Sequence, residues 1–365
     1  MITIKDIAKE AKVSEGTVDR VIHDRGGVSK KTETKIKKIL EYHNFSVNPV
    51  ASALAMKNKH FIASLIPEHN DSDIFWKSPF LGILKAANDV KSLGVQVNKF
   101  TFNQYDPESY LNAFQSLLES KPTAVILVPL FLKETKQIVS KLETLDIPYL
   151  FLNIDIDGFN NQAFVGQDSY MAGYIAGKLM NLSHPEPATF LIIQARYNVS
   201  INNAISHRFK GFNDYILKNK IDAKTQILTI ENLNDSIDTK EKINTYLKQH
   251  PEIKGVFVPS SRISIVVDCI DTAYLKTLEL IGFDNTPQNI DCLKNDSVSF
   301  LISQKPFDQG YESVRLMTDY LTLKKSMLNN KIYLPIDILT KENVDYNERN
   351  ELVFEKENTK YNPLN

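Results

Sequence analysis

The apolar residues of this 365-residue chain change period near Lys59, and that change most constrains what the chain can fold into. Before it they recur at helical spacing. Ile4, Ile7, Ala8 and Ala11 fall at i, i+3, i+4 and i+7, one apolar face of a short helix. Lys12 and Val13 make a turn, and Ser14 then reads as the N-cap of a second helix. Glu15 sits in its first turn, with Val13 and Val18 placed as a hydrophobic staple. Val18, Val21 and Ile22 turn inward. Glu15, Gly16, Asp19, Arg20 and His23 are left on the outer side, with Thr17 near the N-terminal end. Ser29 caps a third helix through Tyr42, whose Ile36, Ile39 and Leu40 close a small core and whose Lys30, Lys31, Lys35, Lys37 and Lys38 stay outside. This is the pattern of a helix-turn-helix with an outward-facing second helix.

Charge follows the same division. The chain as a whole carries a formal charge of −1, but residues 1–59 carry +5 and the rest −6. A small cationic module on an anionic body suits a polyanionic partner, because Lys and Arg displace counterions from phosphates. The length allows two or three domains, each with its own core. Two cysteines, Cys269 and Cys292, form neither a CxxC nor a Cys/His cluster, so no metal site or disulfide framework is expected. No apolar run approaches the ~20 residues that span a bilayer, and the polar start lacks the pattern of a signal peptide. A cytoplasmic protein with no membrane partner is expected.

After Lys59, strand-like runs alternate with helix-length segments. The runs are Phe61–Pro67, Val95–Phe102, Thr123–Leu130, Pro148–Asp155, Ala188–Gln194, Thr225–Ile230, Lys254–Pro259, Leu278–Asp284 and Ser299–Gln304. Repeated βα units imply parallel sheets covered on both faces, and nine strands fit two doubly wound lobes better than one small sheet. The fold class expected is an all-α head followed by α/β. Such sheets bind ligands just beyond the carboxyl ends of their strands.

The head residues ITIKDIAKEAKVSEGTVDRVIHDRGGVSKKT, with NFSVNPVASALA after them, resemble the LacI/GalR family of bacterial repressors. The resemblance implies that Ser14, Glu15, Gly16, Thr17, Arg20 and His23 face the major groove of double-stranded, pseudo-palindromic operator DNA. It also implies that Thr3, Ser29 and Thr32 hold phosphates. A hinge containing Asn48 would become helical on DNA, with Leu54 wedged into the minor groove. Asp19 stands where the family commonly has Ser, and Pro49 and Ser52 stand where many hinges carry Arg.

The body resembles the same family through VGQDSYMAGYIAGKL (165–179), HRFKGF (207–212), IGFDNTP (281–287) and the glutamine of SFLISQKPFDQG (299–310), and through it periplasmic sugar-binding proteins. The resemblance implies an effector cleft with Asp168, Asp284 and Gln304, and with Phe75 and Trp76 after the first strand to stack on a sugar ring. Asn153 and Asp155 end the fourth strand and suit hydroxyl hydrogen bonds. Ser206 occupies the place taken for an arginine that grips sugar hydroxyls, and Ser260 with Ser261 replaces an Asn-Asp pair. Arg196, Asn202, Asn203 and Arg262 are the residues able to compensate.

Enzyme motifs are missing: there is no GxSxG, HExxH, Walker A or GxGxxG, and no cofactor is expected. The expected function is a ligand-responsive, sequence-specific transcriptional regulator, a repressor of carbohydrate-use genes that binds a sugar or sugar derivative and acts as a homodimer. The alternative is a cytoplasmic sugar-binding or sugar-metabolising protein with an accessory head. The expected domains are a head at 1–46, a hinge helix at 47–58, a two-lobe body at 59–345 and a tail at 346–365. The N-lobe takes about 59–165 plus 304–330, and the C-lobe about 166–303 plus 331–345. Leu81, Leu84 and Val90 offer apolar surface for dimerisation. The tail lacks the sustained heptads of a tetramerising coiled coil.

Overall fold

A computed structural model describes residues 3–22, 26–43, 45, 60–70, 74–184, 187–194, 203–219, 222–233, 235–324, 331–347, 351 and 354. The expected hinge helix at 47–58 and most of the tail lie outside them. The chain divides into two units, Met1–Lys57 and Asn58–Asn365.

In the first unit, α1 (Ile4–Ala11), α2 (Glu15–Ile22) and α3 (Lys30–Tyr42) form the three helices that the spacing predicts. Their starts are chemically marked. Thr3 and Asp6 form a reciprocal capping box on α1, and the Ser14 and Ser29 hydroxyls accept from the Thr17 and Thr32 amides at 3.2 and 3.3 Å. Such caps stabilise a helix by about 1 kcal/mol each. Ile7, Ala8, Ala11, Val18, Val21 and Ile36 are buried together, ringed by Ile4, Val13, Ile22, Val28, Ile39, Leu40 and Phe45. Lys35, exposed as expected, also donates from Nζ to the Ala11 carbonyl at 2.8 Å and so satisfies the carboxyl end of α1.

The second unit holds two sheets of six strands each among the described residues. The first runs β11-β5-β4-β3-β1-β2 and the second β12-β10-β9-β8-β6-β7, the same winding twice. Strands β1 (His60–Pro67), β2 (Val95–Phe102), β3 (Ala124–Leu127), β4 (Tyr149–Leu152), β5 (Phe164–Gly166) and β11 (Lys331–Tyr333) build the N-lobe. Strands β6 (Ala188–Gln194), β7 (Ala223–Thr229), β8 (Ile253–Phe257), β9 (Glu279–Phe283), β10 (Phe300–Ser303) and β12 (Asp337–Leu339) build the C-lobe. All described pairings are parallel except β10 with β12. The sequence reading missed β5, β11 and β12, and its lobe boundary needs correction. Residues 331–333 pair with β5 in the N-lobe sheet, so the last crossing lies between Tyr333 and Asp337 and not at residue 330.

Each lobe clamps one helix pair through glycines. A Cβ on Gly173 would lie 1.9 Å from the Arg208 carbonyl oxygen, and one on Gly211 would lie 2.0 Å from that of Tyr170. Helices Ser169–Ser183 and Asn203–Lys218 therefore pack backbone to backbone. Gly82 and Gly310 do the same for helices Lys77–Val90 and Pro306–Leu323 in the N-lobe. These contacts fix the heights of the helices against their sheets, and with them the strand ends where the lobes meet. On helix Lys77–Val90, Val90 is fully buried and packs into its own lobe, whereas Leu84 is exposed and Leu81 half-buried.

Candidate functional site

On the head, Ser14, Glu15, Gly16 and Arg20 are exposed and Thr17 is half-buried. The α2 surface opposite the core is thus open. Ser14 Oγ lies 2.9 Å from Thr17 Oγ1 and Ser29 Oγ 2.8 Å from Thr32 Oγ1, so both pairs present hydroxyls at helix N-termini. Helix N-termini favour anions such as phosphate. Thr3 also begins a helix, and its hydroxyl donates to Asp6 at 2.6 Å; that bond holds the Asp6 carboxyl below its usual range. The Arg20 guanidinium lies against Gly27, where the left-handed backbone has no side chain to displace it. His23, Asn48 and Leu54 lie outside the described residues.

Between the lobes, a chain of amides joins three strand ends. Asn153, after β4, donates to Gln304 at 3.2 Å and to Gln309 at 2.9 Å. Gln304, after β10, donates to Asp284 Oδ1 at 2.9 Å, and Gln309 donates to the Gln304 carbonyl at 2.7 Å. Asn153 and Asp284 both sit at φ 68. Left-handed backbone is uncommon for residues other than glycine but tolerated by Asn and Asp, and here it turns one polar side chain from each lobe into the seam. Gln167 ties two crossings together by donating to the Ser303 carbonyl at 2.9 Å.

Arg208 completes this cluster and was not singled out in the sequence, where Ser206 was read as standing in the place of an arginine that Arg196, Asn202, Asn203 or Arg262 would replace. The motif HRFKGF held the signal: it carries both the clamp glycine, Gly211, and Arg208 one turn before it. Arg208 is 4% exposed. Its Nη1 donates to the Pro259 carbonyl at 3.1 Å, and its guanidinium lies 3.9 Å over the Phe283 ring. Burial lowers its pKa to about 10 and raises that of Asp284 to about 6, each opposed by the other's charge. Arg208 Nε and Ser260 Oγ are buried polar atoms without a hydrogen-bond partner. Unpaired buried donors are costly, and a ligand oxygen would satisfy them.

The other expected cleft residues separate. Phe75 lines an interlobe cavity of about 390 Å³ that also reaches Asp284. Trp76 does not belong with it: it is 5% exposed within the N-lobe core, where its size fills the space beneath the helix that follows. Asp168 is half-buried and accepts from the Met171 amide at 2.9 Å, the cap of helix Ser169–Ser183. Asp155 is ion-paired with Lys331 at 2.7 Å and fastens β11 beside the end of β4. Ser206 is half-buried on helix Asn203–Lys218, and Arg196 lies outside the described residues. Arg262 of the C-lobe donates to the Tyr105 hydroxyl of the N-lobe, its guanidinium 5.6 Å from that ring. Among the described residues no cluster of His, Cys, Asp and Glu could hold a metal ion, and no helix is long and apolar enough to cross a membrane.

Comparison with known proteins places both units. Residues 62–325 match the family model of the periplasmic binding protein domain, and residues 3–48 match that of bacterial regulatory proteins, lacI family. The ribose operon repressor of Halalkalibacterium halodurans is 26% identical over 363 residues, 96% of this chain and 99% of that protein. A structure from Bacteroides fragilis, assigned to the LacI transcriptional regulators, is 28% identical with a TM-score of 0.73, covering 79% of this chain and 99% of its own. A solute-binding protein from Burkholderia graminis, in complex with D-arabinose, is 18% identical with a TM-score of 0.67 over 79% of this chain and 98% of its own, and so shares the fold.

Proposed function

This chain belongs to the periplasmic binding protein domain family and carries a lacI-family DNA-binding head, and from that premise we propose a carbohydrate-responsive repressor that binds operator DNA as a homodimer in the cytoplasm. The observation that carries the ligand half is the buried seam of Asn153, Gln304 and Asp284 beside the unsatisfied Arg208 Nε and Ser260 Oγ. Donors and acceptors arrayed between two lobes suit the hydroxyls of a sugar, and Phe75 offers an apolar face at the cavity wall. The effector acts by preferring one lobe geometry. Any such preference shifts the equilibrium between DNA-competent and DNA-released states by its differential affinity, and no catalytic chemistry is needed.

A thermal-shift screen of monosaccharides, uronates and sugar phosphates tests the reading, since a ligand that binds the native state raises the midpoint. Binding should weaken by about ten- to hundredfold in Asp284→Asn, as for the loss of a buried charged hydrogen bond. A sugar that binds Asp284→Asn and Arg208→Ala as tightly as the parent chain would place the effector elsewhere. Removing residues 1–58 should abolish DNA binding and leave sugar binding intact. DNA binding that survives that deletion would instead favour an accessory role for the head.

A further inference from the structure

The lobes also touch far from their crossings, where Arg262 donates to the Tyr105 hydroxyl. Tyr105 follows β2, the edge strand of the N-lobe sheet, whereas the crossings belong to β5 and β11 at the other end of that sheet. Four strand spacings separate β2 from β5, a reach of about 19 Å. At that reach a lobe rotation of about 10° moves the edge by about 3 Å, enough to part a hydrogen-bonded pair. Beside the crossings the same rotation moves little. Both halves of the contact are braced by their own turns. In the N-lobe the Tyr105 amide donates to Asn103 Oδ1 at 2.9 Å and the Asp106 amide to the Asn103 carbonyl at 3.1 Å, just before helix Pro107–Glu119. In the C-lobe Arg262 follows β8 and opens helix Ile263–Cys269. The fully buried Asn289 fixes that turn. Its Nδ2 donates to the Ser261 carbonyl at 2.9 Å and to the Phe283 and Asp284 carbonyls at 3.0 Å, and its Oδ1 accepts from the Ser264 amide at 3.2 Å. One side chain therefore holds both the Arg262 turn and the backbone of the seam residue Asp284.

We propose that Tyr105 and Arg262 form a latch on the side of the cleft away from the crossings, which holds the lobes in the geometry that assembles the seam and so sets effector affinity without touching the effector. The proposal rests on the cleft being the effector site. The latch is formed in the same lobe geometry in which Asn153 of the N-lobe reaches Gln304 at 3.2 Å and Gln304 reaches Asp284 of the C-lobe at 2.9 Å. Apparent affinity scales with the fraction of chains already in the binding-competent geometry, so a contact that raises this fraction tightens binding of every effector of the cleft alike. Arg262 then acts through lobe geometry, in place of the direct grip on a sugar for which its sequence position suits it. Tyr105 is 48% exposed, so water competes for the bond and the latch opens readily.

The test compares the full chain with Tyr105→Phe, Arg262→Ala and the double variant by two readouts. The first needs no ligand: spin labels on Lys136→Cys, exposed on helix Leu132–Thr144 of the N-lobe, and Thr245→Cys, exposed on helix Ser236–Gln249 of the C-lobe, report the lobe separation, with labelled chain diluted in an excess of unlabelled chain. The second titrates D-ribose, D-arabinose and D-galactose by calorimetry. Each single variant should add a second, displaced distance population at an unchanged melting midpoint. Each should also weaken whichever sugar binds by about threefold to tenfold, the size of one hydrogen bond. The double variant should be no weaker than the weaker single one, because both changes break the same contact. Parent distances in both single variants would overturn the latch. So would parent sugar affinity in both, or a loss in Arg262→Ala that Tyr105→Phe does not share, which would put Arg262 on the sugar itself. If no sugar binds the parent chain the effector reading fails, and the label distances still decide whether the pair holds the lobes.

Discussion

Asp284 meets two opposing demands. Burial lifts its carboxyl to about 6, although Arg208 and the Gln304 amide favour the charged form. The folded chain therefore holds a proton there at a pH where the unfolded chain has lost it, so the residue's contribution to stability falls as pH rises from its ordinary value toward 6. A carboxyl buried in this way costs stability at neutral pH. In melts between about pH 4 and pH 7, Asp284→Asn should flatten the pH dependence of the midpoint, with the relative gain at the neutral end; an unaltered slope would mean that the carboxyl titrates as an exposed one does. The same scale shows what sequence reading can and cannot resolve. Asn153 was legible from its place at a predicted strand end, and Asp284 and Gln304, at such ends too, through the resemblance. Trp76 comes after β1 and Asp168 after β5, a strand the sequence did not reveal, yet one fills the core and the other caps a helix. Position relative to a strand does not say which way a side chain turns. Arg208 was passed over because a buried arginine over a phenylalanine ring is a tertiary fact, invisible two residues away at Ser206.

Elements were read with more success where they are long and periodic. β2 and β6 have the predicted bounds, and the head helices begin where Ser14 and Ser29 cap them. The three missed strands have three residues each, too few for alternation to show. They sit at or near sheet edges, where neighbouring strands supply the order. The placement of β11 follows from Lys331 between Asp155 and Asp157, 2.7 and 2.9 Å away, a pairing that the linear chain does not advertise. The glycine clamps were present in the sequence as GYIAGK and HRFKGF without any sign that they face each other. Gly173→Ala should push helix Asn203–Lys218 from its partner and carry Arg208 with it. A destabilisation of about 1–3 kcal/mol is expected from overpacking, with a loss of sugar affinity that Leu182→Ala, at an exposed position of the same helix, does not cause. Affinity kept at parent level in a measurably destabilised Gly173→Ala would separate the clamp from the site.

At the scale of the molecule, a basic head that presents one recognition helix and a body built to close on a small ligand make sense as one device. A two-fold dimer would present two such helices to a pseudo-palindromic site, and symmetric half-sites would be the signature. The structure leaves Leu84 exposed on helix Lys77–Val90 as apolar surface for that contact. The most direct test is selection of duplexes from a random library by the full chain, with and without the sugar found by thermal shift, followed by anisotropy titration of the recovered sequence at fixed salt. A pseudo-palindromic duplex should be recovered and bound by two chains, with an affinity that the sugar shifts at least about fivefold, the lower end of ordinary allosteric coupling. Recovery of no consensus, or an affinity that the sugar leaves unchanged while it occupies the cleft, would contradict a sugar-responsive regulator.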